Sequence, residues 1–192
     1  FWPFWSLMRG LAKENRAPRI IVLENVFGAL TSREGKDFAA IASALSGSGY
    51  RFGAMVINAR LFVPQSRPRV FFVAVRRGAE IPSQLDGDGP QDAWHPAALL
   101  SAHAGMTTEA KRKWIWWNLP VPPARNTVFA DLIEVDPTGV HWHSPGETRY
   151  ILDMMSAVNA AKVEAAKKAN RRIVGGVYRR TRPDDNGLKR QR

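Results

Sequence analysis

The 192-residue sequence contains no cysteine. That absence excludes disulfides, thiolate zinc sites and, within this chain, any thiol nucleophile. No stretch approaches the roughly 18 consecutive apolar residues that a membrane span needs. The amino end also lacks the basic region, apolar core and cleavage pattern of a secretory peptide, so a cytoplasmic protein without membrane contact is expected. Acidic residues are scarce, 17 against 28 Lys and Arg, for a formal charge of +11. The imbalance is concentrated. Residues 162–192 carry eleven basic and three acidic side chains, a net of +8, which leaves +3 for the first 161. That end is a candidate for meeting a polyanion. No internal repeat is visible. What the chain does have is 45% hydrophobic residues, enough for one sizeable core and an appendage. It starts at Phe1 and stops inside a basic run, and reads as a piece of something longer.

Apolar periodicity supplies the elements. Phe1, Phe4, Trp5, Met8 and Leu11 recur at helical spacing, predicting a helix that ends in the polar 13–17 stretch and packs its stripe on a sheet. Residues 19–23 are too continuously Ile- and Val-rich for a half-exposed strand and read as a buried, parallel one. Phe38, Ile41, Ala42 and Leu45 predict a second helix, stopped by Gly47 and Gly49. Two further strands are expected over 52–58 and 70–75, separated by a basic loop holding Pro64, Gln65, Ser66, Arg67, Pro68 and Arg69. Strand, helix, strand is the order of an open α/β sheet, with Glu24 at the carboxyl end of a strand, where ligands sit.

From 78 to about 145 the pattern loosens into a Pro- and Gly-containing, loop-rich connection. The Trp-rich 114–117 cluster within it reads as packing rather than as a base-stacking platform. Ser144, Pro145 and Glu147 form a capping-box start to a helix running to about Asn170, with Ile151, Met154, Met155, Val158 and Ala161 on one stripe. Residues 177–182 then read as a strand entering a tight turn, with basic residues on its far side. His141 and His143 are too few, without a carboxylate cluster, to read as a metal site.

Glu24, Asn25 and Val26 after an apolar strand, followed some forty residues later by Gln65-Ser66-Arg67-Pro68-Arg69 and a second apolar strand, carry a specific pattern. With the lead-in from Asn58 to Pro64 and the Phe-Trp-Pro-Phe-Trp segment upstream, it resembles the C5-cytosine-specific DNA methyltransferases of bacterial type. The resemblance implies an α/β fold, the second half of a Rossmann-like S-adenosylmethionine-dependent methyltransferase sheet over residues 1–77. A connection over 78–145 and the helix and basic start of an irregular target-recognition region over 146–192 would follow. It also implies transfer of a methyl group from S-adenosylmethionine to C5 of a cytosine flipped out of duplex DNA. In that chemistry Glu24 is the acid at the base's N3 and exocyclic amine, its acidity weakened by burial. Arg67 and Arg69 hold the cytosine O2, the Glu24 carboxylate and the target phosphate, and the division between them stays open. Asn25 shapes the loop that carries Glu24, and Gln65 belongs with it on the substrate side. Arg171, Arg172, Arg179, Arg180, Arg182, Lys189 and Arg190 are the expected DNA contacts, positioning rather than specifying.

The family's nucleophilic Cys, on a loop after a Pro, and the Gly-containing turn that holds most of the cofactor are not in this sequence. The resemblance therefore implies a fragment that is inactive alone, completed by flanking segments or a complementary chain, from a restriction-modification system or a solitary methylase. The competing readings are a non-catalytic remnant that binds nucleic acid through its basic end, and an RNA cytosine methylase of the same family.

Overall fold

The structure is a computed structural model that describes residues 1–177, 181–183 and 189–191. Contacts divide the chain into two compact units, Phe1–Asn126 and Thr127–Arg192.

In the first unit, α1 (Trp2–Lys13) opens with Pro3 in its first turn, where a missing amide costs nothing. It turns Trp5 and Met8 toward the core and leaves Trp2 and Leu7 exposed. After β1 (Ile20–Val26), α2 (Lys36–Gly47) buries Phe38, Ile41, Ala42 and Leu45, the residues its spacing singles out. Gly49 then takes a left-handed φ of +82°, which glycine adopts freely, and turns the chain into β2 (Tyr50–Asn58). The third strand, β3 (Pro68–Arg76), lies between the other two, and the sheet order is β1-β3-β2.

Both neighbours of β3 pair with it antiparallel. The short 59–67 connection dictates this for β2, because a parallel crossover needs a dozen or more residues. β1 and β2 run parallel, but with β3 between them. The expectation of a buried, parallel strand at 19–23 is therefore corrected. β1 is an antiparallel edge strand with Ile21 buried and Ile20 and Val22 exposed, because only one of its edges and one of its faces are covered. It also runs on through Glu24 and Asn25 to Val26 instead of ending before them.

Period-two alternation divides the sheet into two packed faces. Val70, Phe72 and Ala74 of β3 join Phe52, Ala54 and Val56 of β2 under α1 and α2. On the opposite face Phe71, Val73 and Val75 join Met55 and Ile57 under Trp94, Ile115 and Trp117.

The stretch after residue 78 is less loose than its sequence suggests. It contains β4 (Asp86–Gly87), α3 (Ala97–Ala104), α4 (Thr108–Arg112) and β5 (Trp116–Trp117), and β4 pairs with β5. Residues 113–115 seal the outer edge of β2, with the Phe52 amide donating to Lys113 O at 3.0 Å and the Ile115 amide to Phe52 O at 2.7 Å. A bare edge would leave those groups without partners. The approach is so close that a Cβ on Gly53 would lie 2.0 Å from Ile115 O. The Trp114 and Trp117 rings are buried, so packing is what the tryptophan cluster does, and the Trp117 indole donates to Val73 O at 3.2 Å.

In the second unit, the Ser144 hydroxyl accepts from the Glu147 amide at 3.3 Å while the Glu147 carboxylate accepts from the Ser144 amide at 2.8 Å. This closes the capping box that starts α5 (Pro145–Asp153). The single helix expected to reach Asn170 is broken. Ser156 takes a non-helical conformation, caps the Asn159 amide at 3.4 Å and starts α6 (Ala157–Lys168), a local bond that competes with helix continuation. The stripe from Ile151 to Ala161 is thus split between two helices. β6 (Thr181–Pro183) pairs antiparallel with β7 (Lys189–Gln191) in the register Arg182 opposite Arg190, as a strand returning through a turn requires. The turn itself, Arg179 and Arg180 lie outside the described residues.

Candidate active site

Strand register assembles the site. Glu24 and Val26 share a face of β1, and Val26 is paired with Arg69 on β3. Arg69 is thereby the diagonal neighbour of Glu24, within reach of a long side chain. Arg69 Nε lies 3.2 Å from the Glu24 carboxylate. The same guanidinium donates through Nη1 to Pro68 O at 2.9 Å, so both its reach and its direction are fixed. The Arg69 side chain is 20% exposed, while Glu24 remains 55% exposed. The burial that the sequence reading asks for around Glu24 is not supplied by this chain, because the face of β1 that carries it is the uncovered one.

Arg67 has a different place. It stands before β3, its side chain is exposed, and its amide donates to Asn58 Oδ1 at 2.9 Å. Asn58, in the lead-in to the motif, organises the whole connection. Its Oδ1 also accepts from the Arg60 amide at 3.1 Å, and the Ala59 amide donates to Arg67 O at 3.2 Å, so both ends of 59–67 are tied to one point. An Asn closing a strand just before a short turn is the sequence signal for such a cap. Gln65 is exposed and closes a tight turn through its amide to Val63 O at 2.7 Å. The Asn25 side chain accepts from the Val26 amide at 2.8 Å and so acts on its own backbone.

The electrostatic setting is one-sided. Between residues 38 and 79 there is no acidic residue, while arginines stand at 51, 60, 67, 69, 76 and 77. Among the expected DNA contacts, Arg171 and Arg172 are exposed, and neither is ion-paired among the described residues. Arg182 lies on β6, and Lys189 and Arg190 lie on β7.

Of two histidines that sequence reasoning passed over, His95 is buried and His103 is half-buried. His95 is 2% exposed, accepts from the Gln91 amide at 2.8 Å through Nδ1, and has no partner for Nε2 among the described residues. His103 lies against the rings of Trp114 and Trp116, with centroids 4.9 and 4.7 Å away. Burial pushes both imidazoles below their ordinary value, and Lys111 adds to the effect at His103. Among the described residues no three side chains gather as a metal site.

Comparison with known proteins gives the same family that the motifs suggest. Over 60 residues the chain is 45% identical to the type II methyltransferase M.BspRI of Lysinibacillus sphaericus, a match covering 31% of this chain and 14% of that protein. Over 67 residues it is 34% identical to the orphan methyltransferase M.SPBetaI of Bacillus phage SPbeta, covering 34% of this chain and 15% of the relative. The orphan methyltransferase M.Phi3TI of Bacillus phage phi3T matches to the same extent. These matches thus span about one seventh of each relative. A family model matches residues 4–172, nearly all of the first unit and the larger part of the second, and the chain belongs to the C-5 cytosine-specific DNA methylases.

Proposed function

We propose that this chain supplies the base-recognition half of a DNA cytosine-5 methyltransferase centre, in which Glu24 is the acid and Arg69 its partner. The observation that carries the reading is the 3.2 Å contact between Arg69 and Glu24 across β1 and β3, next to a loop that bears Arg67. Cytosine C5 is a poor nucleophile until a thiolate adds at C6, and a proton or hydrogen bond at N3 eases that addition. Glu24 would provide it to the base flipped out of the duplex, with Asn25 bracing the end of β1 and Gln65 shaping the loop beside it. Arg69 steadies the carboxylate and can present a remaining N–H to the cytosine O2. Arg67, exposed and unpaired among the described residues, is left for the target phosphate. We assign the open jobs in that way.

S-adenosylmethionine supplies the methyl group in this family's chemistry. The cavity between α1 and α2, lined by Trp2, Trp5, Ser6, Arg9, Ala40 and Ser43, has no carboxylate to take ribose hydroxyls, so the residues present do not make its site. We assign its main binding motifs, like the nucleophilic Cys, outside this chain and derive no step through it. The 192 residues alone should not methylate, and the completed protein would serve a restriction-modification system or act as a solitary methylase in the cytoplasm. We further propose that the sheet is the second half of a Rossmann-like one, with the open edge of β1 available to the remainder. The arginines at 171, 172, 179, 180, 182 and 190, with Lys189, would meet the DNA backbone.

The absence of cysteine favours one rival, a non-catalytic module that binds nucleic acid. The two separate on one experiment. The reading frame surrounding this stretch is sequenced, the joined protein is assayed for methyl transfer to cytosine, and Glu24→Gln is compared. A loss of about 10² to 10⁴ in rate supports the acid role. No Pro-Cys loop in the joined frame leaves the nucleic-acid-binding module, and a Gln variant as active as the wild type overturns the acid role of Glu24.

A further inference from the structure

Arg125 stands 65 residues after Arg60 in the chain, yet its Nε donates to the carbonyl of Arg60 at 3.1 Å. A guanidinium that spends Nε on a backbone carbonyl is held by its stem end, with its two terminal nitrogens directed past that bond. The carbonyl it grips belongs to Arg60, whose own amide is tied to Asn58 Oδ1 together with that of Arg67. Three arginines therefore converge on one short, internally braced connection. All three are exposed, and none is ion-paired among the described residues, whereas Arg16, Arg33, Arg51 and Arg69 each have a carboxylate. A braced turn with unpaired guanidiniums and no acid nearby in sequence concentrates positive potential where it costs least entropy to use.

We propose that Arg60 and Arg125 form a phosphate-gripping rim with Arg67 on the duplex DNA backbone beside the Glu24 and Arg69 site. The inference rests on the function proposed above and adds two contacts to it, one of them from the connection beyond the Trp-rich segment. The rim reads no bases. Its chemistry is charge-assisted hydrogen bonding to phosphate oxygens, which fixes register on the strand and is paid back as released counterions.

The test is the salt dependence of binding to a fluorescently labelled DNA duplex by the whole chain, as wild type and as the Arg60→Gln/Arg125→Gln variant. Each phosphate contact contributes about 0.9 to the slope of log affinity against log salt, so the variant slope should be shallower by about 2. Thermal melting checks that the two exposed substitutions leave the fold intact. Wild-type binding with an unchanged slope in the variant overturns the rim and leaves the function standing. No binding of duplex DNA by the wild type removes the function reading itself. A slope change seen on duplex RNA and absent on DNA overturns the choice of DNA as the occupant.

Discussion

The two units of this chain hold themselves together in opposite ways. The first buries Phe38, Leu45, Phe52, Phe72, Trp94 and Ile115 almost completely, on both faces of its sheet. In the second, no described residue is buried, and Leu132, Trp142, Val158 and Ile173 are exposed. Its helices rest on caps and on local ion pairs such as Lys167 with Glu164 at 2.7 Å. Such pairs contribute only a few tenths of a kcal/mol each. A unit with a core sets a site by packing. A unit without one has its conformation decided by local bonds and by whatever its surface meets.

The sharpest way to break that contrast is to remove a large side chain from each. Phe38→Ala should cost about 3 to 5 kcal/mol in urea unfolding of the first unit. Val158→Ala should change stability by less than about 0.5 kcal/mol, since that side chain is 67% exposed. Equal costs would mean that the second unit has a core of its own. Next in size, Gly53→Ala forces the 113–117 segment off β2 and should destabilise the first unit by about 1 to 3 kcal/mol, the range for overpacking. Indole fluorescence is the readout, and an unshifted midpoint would mean that the seal is loose.

Smaller again, Ser144→Ala removes the cap of α5 and should cost about 1 kcal/mol of helix stability, seen as lost far-ultraviolet ellipticity with the first unit unchanged. The smallest effects are in pH, and they fall in different windows. His95 and His103 have folded pKa values below the ordinary 6.5, so the neutral forms favour the fold. Their contribution is whole above 6.5 and declines as the pH falls below it, lowering the urea midpoint of the first unit. Glu147 is held below the ordinary carboxylate range by the Ser144 amide and hydroxyl. Its contribution is present above about 4.5 and is lost on further acidification, so α5 should fray only after the first unit has begun to weaken. Simultaneous loss of both signals would contradict the separation.

Much of the first unit could be read from its residues. The period of Phe38, Ile41, Ala42 and Leu45 and the two apolar strands act locally, as does the Ser144 capping box of the second unit, and local patterns survive tertiary context. The place of β3 between β1 and β2 could not be read, because an apolar run is the same in parallel and antiparallel pairing. Nor could the seal of residues 113–115 on β2, which is made by backbone groups that every residue carries. The sequence brought Glu24, Arg67 and Arg69 together by motif. Only register separates them, placing Arg69 on a strand diagonal to Glu24 and Arg67 outside it. Arg125 left no local signal at all, since its significance lies in a carbonyl 65 residues away.

The central position of β3 also bears on the order in which the molecule comes together. Its pairing with β2 closes only the 59–67 connection, whereas its pairing with β1 must close 27–67. The longer closure costs roughly 1 kcal/mol more in chain entropy and lies among the slower, non-local contacts. The β2–β3 hairpin should form early, with β1 docking onto a template already made. Since Glu24 rides on β1 and Arg69 on β3, their ion pair is a late event, and a chemical probe of Glu24 reactivity during refolding would time the last step of assembly.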